Sequence, residues 1–171
     1  MRLFIALQLN DEMKDVLEAM QDHMRSRGVK GNYTKRDNLH LTLAFIGEFD
    51  DPQAVLDAID RAKLRPFVIS LSGTGTFRSL WWAGIDGGMA LQSFVRRLRR
   101  ELDDAGIPYD HKKFSPHITL IRKPECRGQE PERDVLAALN DIPGCKMTVD
   151  HASLMRSDRS ERGMIYTEIT R

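Results

Sequence analysis

The sequence predicts an α+β fold of antiparallel sheets with helices on their outer faces. Three features lead there. Strand-like and helix-like segments follow one another without the β–α–β repeat that builds a parallel sheet. Residues 67–77 and 80–85 are two strand-like runs joined by a short turn, which read as a hairpin. Two stretches share one pattern, His40-Leu41-Thr42-Leu43 and His117-Ile118-Thr119-Leu120, and lie 77 positions apart, one in each half of the chain.

Taken in order, residues 2–9 alternate loosely and predict a first strand. Asp11 is placed to cap a helix whose apolar stripe, Met13, Val16, Leu17, Met20 and Met24, has the helical period and ends near Gly28. Residues 29–37 read as a basic loop containing Lys30, Tyr33, Lys35 and Arg36. The first motif strand follows and stops at Gly47. Asp50 or Asp51 ahead of Pro52 starts a helix carried by Ala54, Val55, Ala58, Ile59 and Ala62. Phe67, Ile69 and Leu71 open the hairpin, and Asp86-Gly87-Gly88 ends it. Leu91, Phe94, Val95, Leu98 and Leu102 form the next helical stripe, closed at Gly106. The second motif strand starts after Pro116. Pro131 opens a short helix with Val135, Leu136, Leu139 and Ile142, and residues 145–155 and 162–170 read as two final strands.

The 171 residues fit one domain, 1–171, built of two similar lobes. Hydrophobic content of 41% and charged content of 30% are ordinary for a soluble globular protein. No apolar run approaches the roughly 20 residues that cross a bilayer. The apolar start is too short for a signal peptide and is cut off at Asn10-Asp11-Glu12. Cys126 and Cys145 are too few for a disulfide scaffold and lack zinc-site spacing, which fits a reducing cytoplasm. A net charge of +1 does not announce a nucleic-acid binder, so any phosphate-binding surface must be local.

Side chains two apart on a strand share a face. His40 and Thr42 therefore point one way, about 6–7 Å apart, and Leu39, Leu41, Leu43 and Phe45 point the other. His117 and Thr119 repeat this, with Ile118 and Leu120 opposite. If the two halves face each other, four polar groups converge on one groove.

These stretches and their flanks resemble the RNA 2′,3′-cyclic phosphodiesterases of the two-histidine phosphoesterase superfamily, also described as 2′-5′ RNA ligases. The resemblance includes Arg2-Leu3-Phe4-Ile5-Ala6, Asn38 to Leu43 ending Gly47-Glu48, and Gly73 to Phe77 followed by Leu80 to Gly84. It continues through Phe114-Ser115-Pro116-His117 to Leu120, then Ser153-Leu154, Gly163 and Tyr166, and so covers nearly the whole chain. It implies two lobes related by a pseudo-twofold with the active groove between them. It also implies His40 as proton donor to the leaving ribose oxygen, His117 as proton acceptor from water, and a 2′-phosphomonoester product. The residues alone show a pair and leave the two roles open.

Hydrolysis of a strained cyclic phosphodiester needs a base, an acid and donors to the phosphoryl oxygens. Histidine serves either proton-transfer role near neutral pH, and the hydroxyls of Thr42 and Thr119 can donate to non-bridging oxygens. Zinc wants three or four His, Cys or carboxylate ligands, whereas here Thr stands beside each His, so neither a metal nor another cofactor is expected.

Further candidates for substrate binding are Arg122, Tyr33, Lys35, Arg36 and Lys113, with Lys112 beside the last. Strict alternation puts Arg122 on the face opposite His117, so phosphate contact requires a bend or bulge, and a surface salt bridge is the alternative. Tyr33, where the family often has Trp, can stack on a base or simply pack. The lysines and Arg36 can contact phosphates or sit as solvated charge. Phe77 and Trp82 match family positions but are more often core. Arg96, Arg97, Arg99 and Arg100 occupy the polar side of an amphipathic helix and read as a paired surface. His23 lies beside a helical stripe and is expected to be exposed, His151 and His111 have no nameable partner, and His111 is a weak groove candidate. The implied partner is RNA with a 2′,3′-cyclic phosphate end, tRNA fragments or small cyclic nucleotides among them, acted on by a cytoplasmic monomer. The competing functions are 2′-5′ RNA end joining by the reverse reaction and RNA-end binding without turnover.

Overall fold

The computed structural model describes all residues, Met1–Arg171. Its elements are β1 (Arg2–Gln8), α1 (Asp11–Ser26), β2 (Val29–Tyr33), β3 (His40–Glu48), α2 (Pro52–Ala62), β4 (Phe67–Phe77), β5 (Leu80–Asp86), α3 (Gly88–Asp104), β6 (His117–Cys126), α4 (Glu132–Leu139), β7 (Lys146–Val149), β8 (Ser153–Ser160) and β9 (Gly163–Ile169). A single 3₁₀ turn, Arg36–Asn38, precedes β3. The strands form a four-stranded sheet in the order β3-β1-β8-β9 and a five-stranded sheet in the order β2-β6-β5-β4-β7. Every pairing is antiparallel. Each sheet carries one His-x-Thr strand, and β3 meets β6 where the two sheets adjoin.

β1 explains the layering. Its five central residues are all buried, because β3 and β8 flank it and both of its faces are covered. Leu3, Ile5 and Leu7 join the main core of 36 buried residues, which runs through both sheets and all four helices, so the two lobes share one core. Phe4 and Ala6 face the other way and pack with Met155, Phe45 and Tyr166 in a small separate cluster.

Three local expectations are corrected. The cap of α1 is Asn10, whose side chain accepts the Met13 N–H at 2.9 Å, and Asp11 is the first residue of the helix. The stretch read as a basic loop contains the edge strand β2, where only Val29 is buried. An edge strand with both faces wet shows no apolar alternation, so its pairing with β6 decides it. The region read as one strand over 145–155 is split. β7 belongs to the five-stranded sheet and β8 to the four-stranded one, with Asp150–Ala152 crossing between them. No helix is long and apolar enough to cross a membrane.

Candidate active site

His40 opens β3 and His117 opens β6, and each is held in the same way. Nδ1–H of His40 donates to the carbonyl of Asn38, two residues back, at 2.7 Å. Nδ1–H of His117 donates to the carbonyl of Ser115, also two residues back, at 2.6 Å. A carbonyl only accepts, so each Nδ1 carries hydrogen and Nε2 holds the lone pair while the ring is neutral. Two aromatic rings hold each imidazole. His40 sits 4.9 Å from Phe4 and 5.2 Å, edge on, from Tyr166. His117 sits 5.0 Å, edge on, from Phe77 and 6.1 Å from Trp82.

Both histidines and both threonines line one open groove of about 750 Å³. Its two sides differ. The Thr42 hydroxyl is 2.8 Å from His40 Nε2 and donates to it while the ring is neutral. Thr119 makes no such bond and is free to meet a ligand. Burial, then the Arg122 guanidinium and His117, hold the His40 imidazole below the ordinary histidine value, against the Asn38 carbonyl, which favours the cation.

Arg122 lies in this groove because β6 is bulged. Against β5, Thr119 pairs with Trp82 and Ile121 with Trp81, so Leu120 is extra. Leu120 and Ile121 both point into the core, and the next side chain, Arg122, turns to the His117 face. The first motif does the same. Thr42 pairs with Ala6 and Ala44 with Ile5, so Leu43 is extra. Leu43 and Ala44 are both buried, and Phe45, expected on the apolar face, turns into the groove. In both copies the residue after Thr is the bulge, and the third residue after Thr re-enters the site.

The other substrate-binding candidates lie elsewhere. The Tyr33 hydroxyl donates to the Val29 carbonyl at 2.6 Å, and its ring is covered by the Arg25 guanidinium. Arg36 is taken by three carboxylates of α1, Asp11 at 3.3 Å, Asp15 at 2.7 Å and Glu18. Lys35 donates to the Arg162 carbonyl beside a neighbouring cavity of about 600 Å³. Lys113 is exposed and makes no ion pair or side-chain hydrogen bond. Of the lower-ranked residues, Phe77 and Trp82 flank His117. His111 stacks on Tyr109, 4.3 Å between rings, outside the groove lining. No group of three or more His, Cys, Asp or Glu is arranged to hold a metal.

Sequence reasoning passed over several residues that line or support the groove. Arg2 and Phe4 were readable as one face of β1, had that face been assigned to the groove. Asn38 and Ser115 share the position two before His, a local signal for the carbonyls that orient the rings. Gln21 had no such signal. It is fully buried in α1, and its Nε2 donates to the carbonyls of Thr34, at 2.8 Å, and Leu120, at 3.0 Å, the second being the bulge itself.

The model of the 2'-5' RNA ligase superfamily matches residues 12–161. The chain belongs to this superfamily. Among relatives of the superfamily member, a protein of Thermus thermophilus named RNA 2',3'-cyclic phosphodiesterase is 32% identical over 98% of this chain and 87% of its own length. One of the same name from Methanothermobacter thermautotrophicus is 27% identical over 98% and 96%. Among solved structures, E. coli LigT complexed with 3'-AMP superposes with a TM-score of 0.79 at 25% identity, covering 99% of this chain and 95% of that one. A Thermus thermophilus structure gives 0.77 at 29% identity, covering 99% and 96%. The two-lobed α+β architecture is therefore that of the LigT-like phosphoesterases.

Proposed function

We propose that the protein hydrolyses RNA 2′,3′-cyclic phosphate ends to 2′-phosphomonoesters, using His40 and His117 and no metal. The observation that carries this reading is the pair of imidazoles, each with Nδ1–H held by the carbonyl two residues back, with Nε2 of His117 open to the groove and Nε2 of His40 engaged only by the Thr42 hydroxyl. The names of the relatives support the substrate class.

In this mechanism water attacks phosphorus, and neutral His117 Nε2 takes its proton. The bond from phosphorus to the ribose 3′ oxygen breaks, and His40 Nε2–H protonates that oxygen. Solvent then exchanges the two protons back. Thr42, Thr119 and Arg122 meet the phosphoryl oxygens, where Arg122 suits the growing negative charge. His40 must be protonated to act, while burial and Arg122 oppose that in the free protein. An anionic phosphate bound between them offsets Arg122 and favours the charged donor, so the acid is loaded by the substrate it serves.

The test is incubation of purified protein, with excess chelator, with a short RNA ending in a 2′,3′-cyclic phosphate, and assignment of the product's phosphate position. A 2′-phosphate is expected. Untouched substrate, or turnover only with added metal, overturns the reading.

A further inference from the structure

Two carboxylates and three guanidinium groups line the groove, and their pairing is unequal. Glu48 is engaged by the Met1 amino group at 3.2 Å and Asp158 by Arg156 at 2.9 Å. Arg2, Arg122 and Arg159 line the same groove, and none of them has a carboxylate partner. The groove therefore presents uncompensated positive charge in a chain whose net charge is only +1.

Arg2 stands apart from Arg122. β1 is unbroken against β8, so Arg2, Phe4 and Ala6 share a face. Phe4 packs against His40, and Arg2 lies two residues farther out, about 6–7 Å along the strand. Its guanidinium lies over the Phe45 ring, 5.0 Å from the centroid. Phe45 is the residue that the β3 bulge turns into the groove, at the position equivalent to Arg122 in the second motif. The two copies thus each bring a guanidinium to the groove, directly in β6 and through an aromatic platform in β3. Stacking restricts the Arg2 plane and leaves its N–H edges for an acceptor.

We propose that Arg2, held on Phe45, is a second phosphate subsite that binds the phosphodiester next to the terminal cyclic phosphate, so that the groove selects oligonucleotide ends over mononucleosides. This inference rests on the cyclic-phosphate reaction proposed above. A phosphodiester supplies the pair of acceptor oxygens that a guanidinium fork matches, and Arg2 lines the same groove as the histidines, two residues along β1 from the Phe4 ring that packs on His40.

The experiment compares kcat/KM for a short RNA with a 2′,3′-cyclic end against a mononucleoside 2′,3′-cyclic phosphate, in wild type, Arg2→Gln and Arg2→Lys. Arg2→Gln is expected to lower the ratio of oligonucleotide to mononucleoside kcat/KM about tenfold, as for loss of a charged hydrogen bond. Arg2→Lys keeps the charge without the fork and recovers part of it. The salt dependence of oligonucleotide binding becomes shallower by about 0.7 in log–log slope, one phosphate contact fewer on a single strand. Arg2 makes no side-chain hydrogen bond or ion pair, so Arg2→Gln folds, and a thermal melt verifies this. A ratio within twofold of wild type overturns the inference, as does an equal loss on both substrates. If wild type turns over neither substrate, the reaction proposed above fails. Binding of a labelled RNA with a 3′-terminal phosphate then decides the subsite: weaker binding with the shallower slope in Arg2→Gln supports it, and unchanged affinity and slope overturn it.

Discussion

His40→Ala separates the two histidines by role. The substitution removes the hydrogen bonds to the Asn38 carbonyl, 2.7 Å, and to Thr42, 2.8 Å, and the ring packed beside Phe4 and Tyr166. Loss of a general acid lowers the rate about 10²–10⁴-fold, roughly 3–5 kcal/mol on the barrier. Leaving the Asn38 carbonyl unpaired costs a further 1–3 kcal/mol or so of stability rather than rate. The assay must therefore run well below the melting temperature, with excess enzyme in a single turnover. The leaving group distinguishes the roles. A phosphodiester with an activated aryl leaving group departs without protonation, so His40→Ala should lose far less on it than on a cyclic phosphate. His117→Ala, lacking the base for water, should lose a similar factor on both. Equal losses by His40→Ala on the two substrates, or a leaving-group dependence in His117→Ala instead, would refute the assignment.

Four other outcomes are expected. His40 titrates below the ordinary histidine value, so just below pH 6.5 the unfolded chain binds more protons than the folded one. His40's contribution to stability is therefore complete above about pH 6.5 and declines as pH falls through that value toward the lowered pKa. Removing Arg122, one of the charges that depress it, should move the His40 titration by NMR upward, and a downward or absent shift contradicts the arrangement. Gln21→Met strips the Thr34 and Leu120 carbonyls of a buried donor and should cost about 1–3 kcal/mol. Thermal melts should record it at about 2–4 °C per kcal/mol, and an unchanged melting temperature would mean the amide is not needed there. Arg36→Ala leaves kcat/KM for cyclic-phosphate RNA within twofold of wild type, because its guanidinium is committed to α1. A tenfold loss would place it at the substrate.

The sequence by itself determined the motif pair and most of the elements. His40/Thr42 and His117/Thr119 were legible because adjacent positions on a strand alternate by local geometry alone. The stripes of α1, α2 and α3 were legible for the same reason, since a helical period needs only the chain's own spacing. Tertiary structure decided what depends on a neighbour. A bulge exists only relative to the strand it is mismatched against, so no pattern within residues 40–48 or 117–126 marks Leu43 or Leu120 as the extra residue. Those two mismatches carry Phe45 and Arg122 from the expected face into the groove. The capture of Arg36 by α1 and the bonds of Gln21 to two distant carbonyls likewise arise only once α1 lies against the loop before β3 and against β6. The break between β7 and β8 has the same origin: the two segments are continuous in sequence but belong to different sheets, and only the packing of the lobes separates them.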